Sequence, residues 1–359
     1  MEQYEQQLRQ LLQTITGPDE NAREAAHIKW NDCAKPLGSL GLLENIIEDI
    51  AALTGSAEIS LFPRAVLVLC ADNGVVVQGV TQSDSSVTSI VAENLAGRRT
   101  SVCRMAAVAN CQVVPVDMGI LDFLPREGVL NCRIGNGTGD ISKGPAMTRG
   151  QAAQAVLTGI QLVLEQKKRG VRLLATGEMG IGNTTTSSAA ACVLLSAEAA
   201  EMTGRGAGLS GEGLQRKIRV IEQALSLNRP DPDDPLDVIS KVGGFDIAGL
   251  CGVFLGGAVY SVPILADGFI STVAALCAVR MCPKAEKAVI ASHVSAEPAG
   301  QRILDALHRR PLITAGMRLG EGTGAVAAIP LLDMACAVYR ESYTFEQGGI
   351  EHYVPLGDS

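Results

Sequence analysis

The sequence predicts an α/β protein, a parallel β-sheet with crossover helices on its faces. Two observations carry this. Apolar runs of strand length recur at Ala65–Ala71, Gln112–Asp117, Val171–Thr176, Val262–Ala266 and Ala288–Ala291, with helical stretches between them. Of the 359 residues, 47% are hydrophobic but only 3% aromatic, and 39 are glycine. Such a core is packed with Ala, Val, Leu and Ile, its helices lie close on a sheet, and its loops can approach a ligand.

The elements follow in order. The first 60 residues read as polar, amphipathic helices broken at Gly17-Pro18 and at Lys35-Pro36-Leu37-Gly38-Ser39-Leu40-Gly41. Thr148-Arg149-Gly150-Gln151 has the pattern of a capping box, opening a helix that runs to the basic Lys167-Lys168-Arg169 and stops at Gly170. Asn183 is the expected cap of the next helix, through the Ala/Thr/Ser-rich stretch 184–200, and 228–235 is a surface loop rich in Pro and Asp. Residues 247–266 carry no charge and contain a GxxxG spacing, long enough to span a bilayer. Pro263 interrupts them, Asp246 and Asp267 bracket them, and no basic flank sets an orientation, so a buried helix followed by a short strand is expected. Residues 61–330 are expected to form a large α/β domain, and residues 1–60 with 331–359 a small helical one.

Formal charge is −8 at pH 7, with no basic tract interleaved with aromatics. Binding to nucleic acid or an anionic membrane has no electrostatic footprint. A phosphate substrate would be repelled at long range, so any phosphate site must be made locally. The ten cysteines form no CxxC pair and most sit in apolar runs, so they are expected to be small buried hydrophobes, reduced as in the cytoplasm. The first six residues, Met1 to Gln6, lack the basic and apolar regions of a signal peptide. The four histidines do not cluster as metal ligands.

Ligands of open α/β sheets bind beyond the carboxyl ends of the strands. Here those ends read Ala71-Asp72-Asn73-Gly74, Thr176-Gly177-Glu178-Met179-Gly180-Ile181-Gly182-Asn183, Asp267-Gly268-Phe269 and Ser292-His293-Val294-Ser295-Ala296-Glu297. The turn at 177–186 is an anion site or simply a turn for close packing. In Leu319-Gly320-Glu321-Gly322-Thr323 a single carboxylate stands between glycines at the mouth of the Ala-rich helix 325–338. Desolvation would raise its pKa toward that of a general base, and the helix dipole would lower it. Both readings are open on the residues alone.

Taken together, these segments resemble a known family. Glu178-Met179-Gly180-Ile181-Gly182-Asn183-Thr184-Thr185, Lys241-Val242-Gly243-Gly244-Phe245-Asp246, Asp267-Gly268-Phe269, Ser292–Glu297 and Arg318–Ala325, with Lys35–Gly41 before them, are similar in kind and order to the motifs of nicotinate-nucleotide–dimethylbenzimidazole phosphoribosyltransferases. The resemblance implies a Rossmann-like sheet with flanking helices, a small helical domain from both chain ends, and a dimer, of identical chains or with a paralogue. It implies transfer of 5-phosphoribose from nicotinate mononucleotide to 5,6-dimethylbenzimidazole, a lower-ligand base of cobalamin, with no metal or cofactor. Glu321 would be the general base. Glu178, Met179, Gly180, Asn183, Lys217, Asp267, Ser295 and Gly320 would form the nucleotide site. Ser83, Val91 and Leu319 would line the acceptor pocket, to which Gly320 also contributes.

Two departures stand out. The family reads Ala-Asp-His-Gly where this chain has Asn73, and Ser-Pro-x-x-Val-Thr-x-x-Gln where Ser83 is followed by Val91 in the last place. Losing the glutamine makes a phenolic acceptor, phenol or p-cresol, the alternative reading, with the chain as one half of a paralogous pair. A nicotinamide-dependent oxidoreductase predicts a glycine fingerprint that is absent. A non-catalytic subunit predicts loss of Glu321, which is present.

Overall fold

A computed structural model describes residues 2–353. Met1 and the last six positions of the expected 331–359 segment lie outside the described residues. Six strands form one parallel sheet: β1 (Arg64–Ala71), β2 (Gln112–Gly119), β3 (Leu130–Asn131), β4 (Leu173–Met179), β5 (Ile264–Ala266) and β6 (Val289–Ala291). Their order is β3-β2-β1-β4-β5-β6, that of doubly wound nucleotide-binding sheets, with the switch point between β1 and β4. The five predicted runs are β1, β2, β4, β5 and β6. Two residues of β3 are too few for any periodicity to show. β4 continues past Thr176 to Met179, so Glu178 is on the strand and not in the turn after it.

β1 is buried along its whole length because both faces of the sheet are covered. Ala65, Leu67, Leu69 and Ala71 enter one core and Val66, Val68 and Cys70 the other, the two-residue alternation of a strand. The helices are α1 (Glu2–Gln13), α2 (Glu20–Asp32), α3 (Leu42–Thr54), α4 (Ser86–Ala96), α5 (Ser101–Val108), α6 (Arg149–Lys168), α7 (Asn183–Leu195) and α8 (Ala199–Met202). They continue with α9 (Gly211–Asn228), α10 (Pro235–Val242), α11 (Phe245–Tyr260), α12 (Phe269–Met281), α13 (Gly300–Ala306), α14 (Thr323–Glu341) and α15 (Phe345–Gly348). The first core takes its cover from α1, α6, α7, α11 and α12, the second from α2, α3, α5 and α14. The capping box forms: Thr148 Oγ1 accepts from Gln151 N–H at 3.2 Å and Gln151 Oε1 from Thr148 N–H at 3.0 Å.

Segments near the two chain ends, α2 and α3 with α14, meet on the second face, while α1 packs on the first. Trp30 and Tyr339 pack with ring centroids 4.9 Å apart, and Cys33 bridges antiparallel to Thr344. Residues 330 and 331 are both within α14, one continuous helix, and α2, α3 and α14 share the second core with the sheet. By length and composition α14 is long and apolar enough to cross a membrane; here it forms part of the second core.

The uncharged 247–266 segment is α11, buried from Phe245 to Ala258, followed by β5. Its glycine spacing serves contact with α6. A Cβ on Gly252 would lie 1.9 Å from the Val156 carbonyl oxygen, and one on Gly159 2.0 Å from that of Gly249. The two backbones therefore touch. Gly252→Ala must push them apart and is expected to destabilise the protein by about 3 kcal/mol. Denaturant unfolding measures this, and an unchanged midpoint would contradict the close contact.

Candidate active site

A cavity of about 260 Å³ opens beyond the carboxyl ends of β4, β5 and β6. Its lining brings together Ser83, Glu178, Met179, Gly180, Asn183, Asp267, Ser295, Leu319, Gly320 and Glu321, ten of the twelve positions singled out from sequence. It is also walled by His293, Glu297, Arg205 and Arg318.

Two of the twelve are not on the lining. Lys217, on α9, is fully buried behind it, donating to Thr184 Oγ1 at 2.8 Å and to the Gly204 carbonyl at 3.2 Å. Thr184 is a wall residue, so the ammonium stands one side chain away from the cavity. Burial pulls its pKa down to about 8, against the pull of Glu297. Val91 sits on α4, half-buried against the second core. Asn73 is buried below the β4–α7 turn, its Oδ1 accepting from Thr186 Oγ1 at 3.1 Å and its Nδ2 without a partner among the described residues.

Asn183 does not cap α7. Gly182, at φ +93°, takes the cap position, which leaves Asn183 as the first helical residue. Its amide instead donates to two buried carboxylates, Glu178 Oε2 and, at 3.0 Å, Asp246 Oδ2. Burial is the main cause of the rise in both pKa values, Glu178 to about 8 and Asp246 to about 6. Asp246 pushes Glu178 further up and Asn183 holds both back. At neutral pH Glu178 is therefore a neutral acid that can donate as well as accept.

The raised pKa has a consequence for stability. Between about pH 4.5 and 8 the unfolded chain ionises residue 178 while the folded chain keeps it protonated, so its contribution to stability falls as pH rises. Glu178→Gln has no proton to lose. It is expected to raise the thermal midpoint, by a margin that widens across that window. Unfolding scans at several pH values test this, and a margin that narrows with pH would refute it.

Glu321 lies between Gly320 (φ +86°) and Gly322 (φ +91°) and is itself left-handed at φ +60°. Three such residues in a row reverse the chain sharply, and the flanking positions suit glycine because it has no Cβ. The Glu321 N–H donates to the Glu178 carbonyl at 3.2 Å, tying the loop to the end of β4. Glu321 precedes the cap of α14 and its carboxylate is drawn to a different helix, toward Thr100 and the Val102 N–H at the start of α5. Burial outweighs that pull and raises its pKa, and Oε2 is buried with no hydrogen-bond partner among the described residues. Of the two readings left open by the residues, desolvation prevails.

Several residues at the site were not singled out from sequence. The wall residues His293, Glu297 and Arg318, and Asp246 buried behind Asn183, fall within the family-like motifs, which were the available signal. Arg205 lies in the irregular stretch between α8 and α9, where nothing marked it.

Comparisons with known proteins agree with this fold and with the motifs. The family model described as Phosphoribosyltransferase matches residues 15–350. A nicotinate-nucleotide–dimethylbenzimidazole phosphoribosyltransferase of Acetivibrio thermocellus is 47% identical over 348 residues, 96% of this chain and 99% of that one. One from Ruminiclostridium cellulolyticum is 47% identical over 337 residues, 93% and 95% of the two chains. The crystal structure of CobT from Thermus thermophilus superposes with a TM-score of 0.87 at 36% identity, covering 93% of this chain and 100% of that one. Motifs, sheet order, cavity and relatives converge, and the chain belongs to the nicotinate-nucleotide–dimethylbenzimidazole phosphoribosyltransferase family.

Proposed function

We infer that the chain transfers the 5-phosphoribosyl group of nicotinate mononucleotide to 5,6-dimethylbenzimidazole, giving α-ribazole 5′-phosphate and nicotinate. Within the site, one observation carries this reading: the partly buried Glu321 carboxylate on the cavity edge, with its proton affinity raised and its Oε2 without a hydrogen-bond partner among the described residues. A neutral azole is a poor nucleophile until its proton has somewhere to go. As one ring nitrogen of the acceptor forms its bond to the ribose anomeric carbon, Glu321 takes the N–H proton from the other. The electrons of the breaking C–N bond return to the pyridinium ring, so nicotinate leaves with a neutral ring and needs no acid. The attack inverts the anomeric carbon. Most of the remaining work is positioning.

Glu178, neutral at pH 7, suits the ribose hydroxyls because it can donate and accept. Met179, Gly180 and Ser295 form the nucleotide wall. Lys217 and Arg205 supply positive charge for the phosphate, and Ser83, Leu319 and Gly320 receive the acceptor. Val91 lies off the cavity lining, so its departure from the family pattern gives no support for a phenol over the azole. The ten cysteines are all free thiols, which supports a cytoplasmic location. A dimer is the assembly expected from the family's pattern, and light scattering tests it.

Lys217 gives this placement a pH signature. Phosphate binding favours the charged ammonium, whose pKa in the empty site is about 8. Above that pH, binding must be accompanied by proton uptake, so affinity for nicotinate mononucleotide is expected to fall by up to about tenfold per pH unit. Calorimetry from pH 7 to 9.5 measures the slope. Lys217→Met should flatten it, and an unchanged slope would place the phosphate elsewhere. The activity itself is tested by incubating the purified chain with nicotinate mononucleotide and following nicotinate and α-ribazole 5′-phosphate by chromatography. Release of nicotinate that does not depend on dimethylbenzimidazole would defeat the assignment.

A further inference from the structure

We propose that Asp267 is the positioning residue for Glu321, acting through the backbone of the Gly320–Gly322 loop and not by contact with the nucleotide. This rests on the reading of Glu321 as general base. Asp267 follows β5 and is buried, 3% exposed. Its own N–H donates to Thr176 Oγ1 at 3.1 Å, and that hydroxyl donates to the Leu265 carbonyl at 3.1 Å, so the residue is anchored between β4 and β5.

Its carboxylate is already committed. Oδ2 accepts from the Gly322 N–H at 3.1 Å, and Oδ1 accepts from the N–H groups of Gly324 at 2.8 Å and Ala325 at 3.1 Å. α14 has no side-chain cap of its own, so Asp267 caps it from a neighbouring strand. His293 backs the arrangement, with Nδ1 3.9 Å from Asp267 Oδ1, hydrogen-bonded to Ser292 Oγ at 3.1 Å, and with its ring filling the space beside Gly324. Three N–H donors leave the carboxylate little capacity for a ribose hydroxyl, which separates it from the nucleotide-binding role implied by the resemblance.

The geometry at Glu321 explains what the commitment achieves. The peptide before Glu321 is held by the Glu178 carbonyl, and the peptide after it by Asp267 Oδ2. Fixing both peptides of a left-handed residue fixes the direction of its side chain. Without the second tie the loop is free to swing, and the carboxylate leaves the position from which it meets the acceptor proton.

Asp267→Asn tests this selectively. One oxygen remains to hold Gly324 and Ala325, while the new amide turns N–H against the Gly322 N–H. The expected result is a fall in kcat of about 10²-fold, the scale of a misplaced catalytic group. The Kd for nicotinate mononucleotide, measured without acceptor, should stay within about threefold of the original, well short of the ~10–10² that losing one charged hydrogen bond implies. In a Glu321→Gln background the same change should cost less than about threefold more, since residues acting as a unit are not additive. Thr176→Val, which loosens the anchor from a fully buried position off the cavity wall, should reproduce the pattern more weakly and decides the question if Asp267→Asn does not fold. Unchanged kcat with Kd raised tenfold or more would assign Asp267 to the nucleotide. Losses that simply multiply in the double variant would show that it acts independently of Glu321. If Glu321→Gln alone is fully active, the base assignment fails first and takes this proposal with it.

Discussion

Glu321→Gln is expected to lower turnover by about 10²–10⁴-fold, the usual span for a lost general base, while leaving folding and nucleotide affinity nearly intact. Glutamine keeps the shape of the side chain, exchanges one carboxylate oxygen for an NH2 and cannot take a proton. The loop is held through backbone N–H groups, to the Glu178 carbonyl and the Asp267 carboxylate, and neither bond involves the substituted side chain. Nor does the fold need the charge. Burial opposes it, and Oε2 has no hydrogen-bond partner among the described residues to lose, so the variant is expected to stay close to the original in stability at neutral pH. A second signature separates loss of a base from mere disturbance. Acceptors with more acidic N–H groups need less help, so the deficit should shrink across a benzimidazole series as that acidity rises. Steady-state rates over such a series, with Kd for nicotinate mononucleotide measured alongside, provide the check. A variant retaining more than a third of the original turnover would remove Glu321 from the mechanism.

How much of this was legible in the sequence depended on how local each feature is. β1 could be read because a strand buried on both faces is a continuous apolar run, and the capping box at Thr148 because its whole logic fits in four residues. β3 was invisible at two residues long. Asn183 was misread as a cap because the choice between it and Gly182 depends on which of them adopts the left-handed backbone, and because its real partners, Glu178 and Asp246, are assembled by the fold. The balance at Glu321 was undecidable for a similar reason. The helix that draws its carboxylate is α5, more than 200 positions earlier, and not α14, which follows it directly. Lys217 was recognised by its charge and its match to the family, but not its place behind Thr184. Val91 marks the opposite case. A departure from a motif drew attention to a side chain that, on α4, is not among the residues lining the cavity.

The strand ends carry the site in the same spirit. Glu178, Asp267 and Glu321 come from β4, the end of β5 and the loop before α14, and no short window contains two of them. What brings them together is the close approach of that loop to β4, and Gly177 is where the approach is tightest. A Cβ there would lie 2.5 Å from the Glu321 carbonyl oxygen, 2.7 Å from its carbon and 2.8 Å from the Gly322 nitrogen. All three are backbone atoms, so no side-chain rotation can relieve the contact. The strand cannot give way cheaply either, because Gly177 is buried and paired in register with Val68 of β1 at the centre of the sheet. Gly177→Ala must therefore displace the Gly320–Gly322 loop, stretching its ties to Glu178 and Asp267. A shift on the order of 1 Å in a catalytic group costs about 10²-fold. The expected result is a fall of that size in kcat, with a smaller change in KM for nicotinate mononucleotide and a thermal midpoint lowered by an overpacked contact worth about 1–3 kcal/mol. Alanine is otherwise at ease in a strand at this position, whose φ is not left-handed, so the loss would come from the collision and not from backbone strain. Kinetics and thermal unfolding of this one variant separate the two effects. Turnover within threefold of the original would mean that the loop can move without consequence, and that the packing of Glu321 against β4 is not what sets its position.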